Sequence, residues 1–271
     1  MFSTQSLRKL ILPLFLDQIL LVLVSIVSTM LLSYAGEAAV SGVSLVEMVN
    51  VLLINILIAL STGGAVVVAQ MIGSQNHFLA NKSAGQIVFI TLLVSVTFTL
   101  VVLFFHPLIL NLLFGQVDPE VMNAAKIYFV LSSLSYPFLA LYNTSAALFR
   151  AQGNSRIPML ASMFMNGLNI LGFYLAIFVF QAGITGVAIA TLGSRLLSSI
   201  VLVILNFNQN NIVYLDFHSI FSFHLNLIKK ILSIAIPNGI ENGITQFGRI
   251  LFASIIALFG TAQITANGIT N

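Results

Sequence analysis

LILPLFLDQILLVLVSIVSTMLLSY, residues 10–34, carries a single charged side chain, Asp17. As a helix rising 1.5 Å per residue, the stretch is long enough to cross a hydrocarbon core about 30 Å thick. It is too long for the apolar core of a signal peptide and reads as a retained membrane helix. Comparable runs lie at about 44–71, 83–105, 121–149, 157–180, 184–206 and 228–258, and an eighth begins near Ala262. The composition agrees: of 271 residues, 59% are hydrophobic and 6% are charged. A soluble domain needs about a quarter of its residues charged to cover its surface. Inside a bilayer every backbone polar group must be paired internally, which leaves helices or a closed barrel. Barrel strands are short and alternating, whereas these runs are long and continuous. The fold class is therefore an all-α, polytopic transmembrane bundle with seven to eight helices in this sequence.

The basic residues give the topology. Arg8 and Lys9 precede the first span, Lys82 lies between the second and third, Arg150 and Arg156 lie between the fourth and fifth, and Lys229 and Lys230 open the seventh. All seven fall on one side if the spans alternate. The opposite connections hold Glu37, Asp118 and Glu120, with Lys126 the only cation nearby. Positive residues stay in the cytoplasm, so the N-terminus is expected there. The polar stretch between residues 206 and 226 separates the first six spans from the seventh. The expected units are a first six-helix lobe at 1–206, a linker at 207–227 and the start of a second lobe at 228–271.

An internal repeat supports this division. Pro13, Asp17, Gly36 and Ala38 recur as Pro237, Glu241, Gly260 and Ala262, all at one offset of 224 residues. An even number of spans separates the copies, so both enter the membrane from the same side. Such parallel repeats, related by an axis along the membrane normal, occur in transporters built from two similar halves. The sequence holds one half and the opening of another, and it reads as part of a longer protein.

Asp17 and Glu241 are the strongest candidates for cation coupling or substrate binding. A carboxylate at depth costs about 2.5–3.5 kcal/mol even on the lenient insertion scale, so it needs a proton, an ion or a partner. Other readings are open: Asp17 as an interfacial acid reaching back to Lys9, and Glu241 as an intrahelical partner of Arg249. Arg195 and Arg249 lie within spans and are expected to face the bundle interior. Gln18, Tyr136, Asn143, Asn166, Asn169 and Arg249 are candidate cavity-lining residues. Asn166 and Asn169 are three apart and share a helix face, and interhelical hydrogen bonding is the alternative role for them. Pro137 is expected to kink the fourth span and free a carbonyl. Gly63 and Gly64 are expected to let helices approach closely.

Enzyme chemistry finds little purchase. There are no cysteines, and the four histidines show no metal-ligand spacing. The zinc-protease HExxH pattern and phosphate-cradling glycine loops are absent, so no metal or cofactor is expected. The net charge of +3 reflects membrane topology and does not imply nucleic acid as a partner.

Read together, several segments resemble the multidrug and toxic compound extrusion (MATE) transporters, in particular the branch common in Gram-positive bacteria. They are residues 13–18 (PLFLDQ), 36–45 (GEAAVSGVSL), 59–73 (ALSTGGAVVVAQMIG), 113–120 (LFGQVDPE), 148–158 (LFRAQGNSRIP), 166–170 (NGLNI), 186–195 (GVAIATLGSR) and 237–248 (PNGIENGITQFG). The resemblance implies twelve helices in two six-helix lobes and a central cavity that opens alternately to either side of a bacterial cell membrane. It implies export of small organic cations in exchange for H⁺ or Na⁺, with Asp17 and Glu241 in the coupling role. A Na⁺ ion, if used, would be held at one of these acids. Many members carry an acid in a Val-Asp-Thr step of the first helix, where this sequence reads Val27-Ser28-Thr29. Some carry an acid or amide where this sequence has Phe173. On this reading residues 1–271 are inactive alone and need a second lobe or a second chain. A lipid-linked oligosaccharide flippase of the same fold and a non-transporting membrane fragment are the alternatives. The flippase would need a cavity rich in Arg and Lys.

Overall fold

A computed structural model describes residues 4–257, with side chains described from Pro13 to Ile256 except Asn242. The order is α1 (Thr4–Ser33), α2 (Glu37–Gly73), α3 (His77–Phe114), α4 (Pro119–Ser133), α5 (Tyr136–Ala151), α6 (Arg156–Tyr174) continuing as a π-helical turn (Leu175–Val179), α7 (Gly183–Asn206), a short α8 (Phe217–Phe221) and α9 (Leu225–Ala257). The start of the predicted eighth span, with Gly260 and Ala262 of the repeat, lies outside the described residues. So do the side chains of Arg8 and Lys9.

Among the described residues five helices are long and apolar enough to cross a membrane, and α4 with α5, bent by 50° at their junction, make a sixth. The six spans predicted before the linker are these six. The predicted seventh span forms as α9, but its polar middle at 237–247 (PNGIENGITQF) keeps it out of that apolar set. Exposed leucine, isoleucine, valine and phenylalanine cover the outer faces, among them Phe104, Leu108 and Leu112 on α3. Large apolar side chains on the outside suit a lipid environment and would be costly in water.

Helix α2 is the centre of the bundle. It packs against α9, α3, α4 and α5, while α6 pairs with α7 and α1. Gly63 makes the α2–α9 contact possible: a Cβ there would lie 2.8 Å from the Ala235 backbone nitrogen. This is the close packing expected of the Gly63–Gly64 pair.

The predicted kink at Pro137 is a full break. Proline lacks an N–H and its ring crowds the carbonyl four residues back. That carbonyl belongs to Ser133, and it accepts a hydrogen bond from the Thr99 hydroxyl of α3 at 2.9 Å. The Ser135 hydroxyl donates to the Ser132 carbonyl at 2.6 Å. The break is thus satisfied by side chains and leaves a polar knot in the apolar core.

The linker is docked on the bundle. Gln86 of α3 is fully buried and donates to the carbonyls of Ser219, at 3.0 Å, and of Ser222. Its own carbonyl accepts from the His224 backbone N–H at 3.1 Å. Gly85 leaves room for the Ser219 backbone, against which any Cβ would clash.

Candidate functional site

Three helices that begin at one end of the bundle carry polar side chains to one level. Glu47 is ten residues into α2, Tyr128 nine into α4 and Arg195 twelve into α7, or about 14–18 Å from that end at 1.5 Å per residue. They line a polar cavity of about 280 Å³ together with Ser25, Ser28 and Thr29 of α1, Asn166 and Asn169 of α6, and Thr191 and Ser194 of α7.

The Glu47 carboxylate is held by donors. The Tyr128 hydroxyl donates to Oε1 at 2.6 Å, and Asn50 Nδ2 donates to the same oxygen at 3.1 Å. Asn50 is fully buried, and its own carbonyl accepts from the Tyr136 hydroxyl at 2.5 Å. Asn50 Nδ2 also reaches Ser132 Oγ, at 3.3 Å. Hydrogen bonds to a charged group contribute about 1.5–3 kcal/mol each, so this cage offsets much of the cost of burying the acid. Across the cavity Arg195 Nη1 donates to Ser135 Oγ at 2.7 Å, which anchors it to the α4–α5 break. Asn169 Nδ2 donates to Thr191 and Ser194 at 3.4 and 3.3 Å.

Glu47 also borders a second, larger cleft. That cleft measures about 600 Å³ and lies between α1, α2 and α9, where Ser25 and Thr29 face Thr245, Gln246, Arg249 and Phe252. The repeat offset of 224 residues pairs Ser25 with Arg249 and Ser28 with Phe252. Ser25 and Arg249 both line this cleft.

Asp17 and Glu241 sit nearer the opposite end of the bundle. Each lies eight residues before its partner at the cleft, Ser25 or Arg249, about 12 Å along the helix. Asp17 is 7% exposed, and its Oδ1 has no protein hydrogen-bond partner. Tyr142 of α5 lies within its electrostatic reach. Glu241 is exposed on α9 and lines neither cavity that holds Glu47. It shares an α9 face with Thr245 and Arg249, and Arg249 is exposed there.

A family profile described as MatE matches residues 13–175. The chain belongs to the MatE family. Among MatE-like relatives, a probable multidrug resistance protein NorM of Thermotoga maritima is 29% identical over 94% of this chain and 55% of its own length. The uncharacterized transporter YisQ of Bacillus subtilis is 26% identical over 97% of this chain and 58% of its own. This chain therefore spans a little over half the length of these curated relatives. A solved MATE structure in the straight conformation superposes with a TM-score of 0.83 at 21% identity, covering 98% of this chain and 58% of that one. At that identity it speaks to the fold alone.

Within this MatE fold the predicted residues divide. Asn166 and Asn169 line the polar cavity and Arg249 lines the cleft. Tyr136 stands behind Glu47 through Asn50 rather than on a cavity wall. Gln18 is exposed, and Asn143 has a buried Nδ2 without a partner. Sequence reasoning passes over Glu47. A second span drawn from about residue 44 leaves Glu47 in its first turn, where an acid complements the helix dipole and draws no notice. The helix actually begins at Glu37, which moves Glu47 almost three turns inward. The signal that could have found it is an acid at the head of an apolar run of more than twenty residues, Met48–Val68.

Proposed function

We propose that the protein works as a cation-coupled antiporter that exports small organic cations by alternating access. Its coupling ion is H⁺ or Na⁺. Asp17 and Glu241 hold either the coupling cation or the cationic substrate, never both, and this competition exchanges one for the other. The observation that carries the proposal is Asp17: a nearly inaccessible carboxylate with one oxygen unpaired by protein, in a bundle of MatE type. Such a group calls for a proton or a cation. Family relatives described as multidrug and toxin extrusion proteins support export of drug-like and toxic compounds. Alternating access requires two halves facing one cavity, so the proposal includes a second six-helix half, on this or another chain. The membrane is the bacterial cell membrane, with the basic end of the bundle in the cytoplasm.

An anionic lipid-linked sugar fits less well, because each arginine at the cavities, Arg195 and Arg249, shares its cavity with Glu47. The test is export of a cationic dye from cells, with proton and sodium gradients collapsed separately. Dependence on one gradient, and loss of export in both Asp17→Asn and Glu241→Gln, is the expected result. Unimpaired export by both variants contradicts the proposal.

A further inference from the structure

Phe78, Lys82, Phe89, Leu93, Val96 and Leu100 fall on one stripe of α3, since steps of three, four and seven residues return to the same helix face. Leu93, Val96 and Leu100 are exposed, as side chains that face hydrocarbon should be. Followed toward the basic end of the bundle, the stripe passes Phe89 and reaches Lys82, about 16 Å from Leu93 at 1.5 Å per residue. The linker crosses the stripe at Gly85, where the Ser219 backbone would clash with any Cβ. The crossing does not interrupt the apolar surface. Phe221 and Phe223 of the linker are exposed, and Phe223 packs edge-on against Phe89 with ring centroids 6.2 Å apart.

Lys82 is half-buried where this surface ends. Its ammonium lies 4.5 Å from the centroid of the exposed Phe78 ring and 3.1 Å from His224 Nε2. His224 Nδ1 faces the Ser222 carbonyl at 3.0 Å. A carbonyl only accepts, so Nδ1 carries the hydrogen and Nε2 turns its lone pair to Lys82. The imidazole thus orients the ammonium without neutralising it, and uses one of its three N–H groups. Among the described residues His224 is the one side chain hydrogen-bonded to Lys82. We propose that Lys82, held in place by His224, binds the phosphate of an anionic phospholipid in the leaflet at the basic end of the bundle, with the acyl chains lying on Phe223, Phe89 and the stripe beyond. The lysine stem lies along apolar surface while its head reaches the headgroup layer. The opposite end of the bundle, with Glu37, Asp118 and Glu120, repels such a lipid. Lys82 belongs to α3 and His224 to the linker, so a lipid bound there closes over the seam between them and holds the linker on the bundle. The inference stands on the membrane bundle and does not rest on the export reading.

The test is thermal unfolding of the purified chain in a neutral detergent, titrated with dioleoylphosphatidylglycerol, with dioleoylphosphatidylcholine or with inorganic phosphate. A ligand that binds only the folded state raises the melting temperature as its concentration rises. Phosphatidylglycerol should do so. Phosphatidylcholine, which has no net charge, and inorganic phosphate, which has no acyl chains, should not. Lys82→Ala should weaken the apparent affinity for phosphatidylglycerol about fivefold, the factor that one basic residue contributes at an anionic membrane surface. Lys82→Arg should retain it, and so should Lys126→Ala, which removes a cation from the acidic end. If Lys82→Ala does not fold, Lys82→Gln, which keeps an apolar stem beside Phe78, carries the same expectation. Undiminished affinity for phosphatidylglycerol in the neutral Lys82 variants overturns the site. Equal stabilisation by phosphatidylcholine overturns its preference for an anionic lipid, and equal stabilisation by inorganic phosphate makes it a site for free anions and overturns the lipid.

Discussion

Asp17 and Glu47 carry the same functional group inside the same helical bundle and are housed in opposite ways. Glu47 sits in a cage of donors from α2 and α4, braced by Tyr136 from α5, with a guanidinium across its cavity. Asp17 is nearly inaccessible, and one of its oxygens meets no donor at all. A carboxylate in the first setting is stabilised as an anion by the fold. In the second setting the fold withholds that help, and something that comes and goes must supply it. The difference separates an acid whose surroundings define a site from an acid whose surroundings leave it wanting a ligand.

The contrast can be broken most forcefully at Glu47. Glu47→Leu leaves the Tyr128 hydroxyl and the Asn50 amide without their acceptor, at about 1–3 kcal/mol for each buried donor left unsatisfied. A loss of about 3 kcal/mol in thermal unfolding of the detergent-solubilised chain is expected. Tyr136→Phe removes a bond one step from the acid and leaves the Asn50 carbonyl unpaired. Its cost should be smaller, about 1 kcal/mol, in the same assay. A control comes from outside the membrane. Two hydrogen bonds from Ser219, through its hydroxyl at 2.7 Å and its backbone N–H at 2.8 Å, hold the Asp216 carboxyl below the usual carboxylate range. A depressed folded-state value means that this stabilisation is present above the ordinary carboxylate range and is lost only as pH falls through the lower, folded one. Protection of the α8 amides, corrected for the intrinsic pH dependence of exchange, should therefore hold through the ordinary carboxylate range and fall only in strong acid.

Much of this was readable in residue order. Runs of apolar residues longer than the hydrocarbon core leave no fold but a helical bundle, and Pro137 announced the α4–α5 break from its missing N–H alone. The 224-residue offset between Asp17 and Glu241 was equally readable, since it lies in the residue numbers themselves. Glu47 was hidden because the first turns of α2, residues 37–43, are small and mixed in polarity and read as a loop. In the structure Ala39, Val40, Ser41, Gly42 and Val43 are buried, because small residues let α2 run close beside α4. The cage was hidden for another reason. Tyr128, Ser132 and Arg195 are some 80 to 150 positions from Glu47 along the chain, and only tertiary packing brings them to it. The docking of the linker on Gln86 is of the same kind, a buried amide whose three partners lie more than 130 residues away.

The most direct test is a paired melt of Asp17→Asn and Glu47→Gln in one detergent preparation at neutral pH. Removing an uncompensated buried charge should stabilise the fold, while removing a compensated one should weaken charge-assisted bonds. Asp17→Asn is expected to leave the melting temperature unchanged or raise it, and Glu47→Gln to lose about 1 kcal/mol. Destabilisation by both substitutions to a similar extent would contradict the account, because it would mean that Asp17 is held by the fold just as Glu47 is.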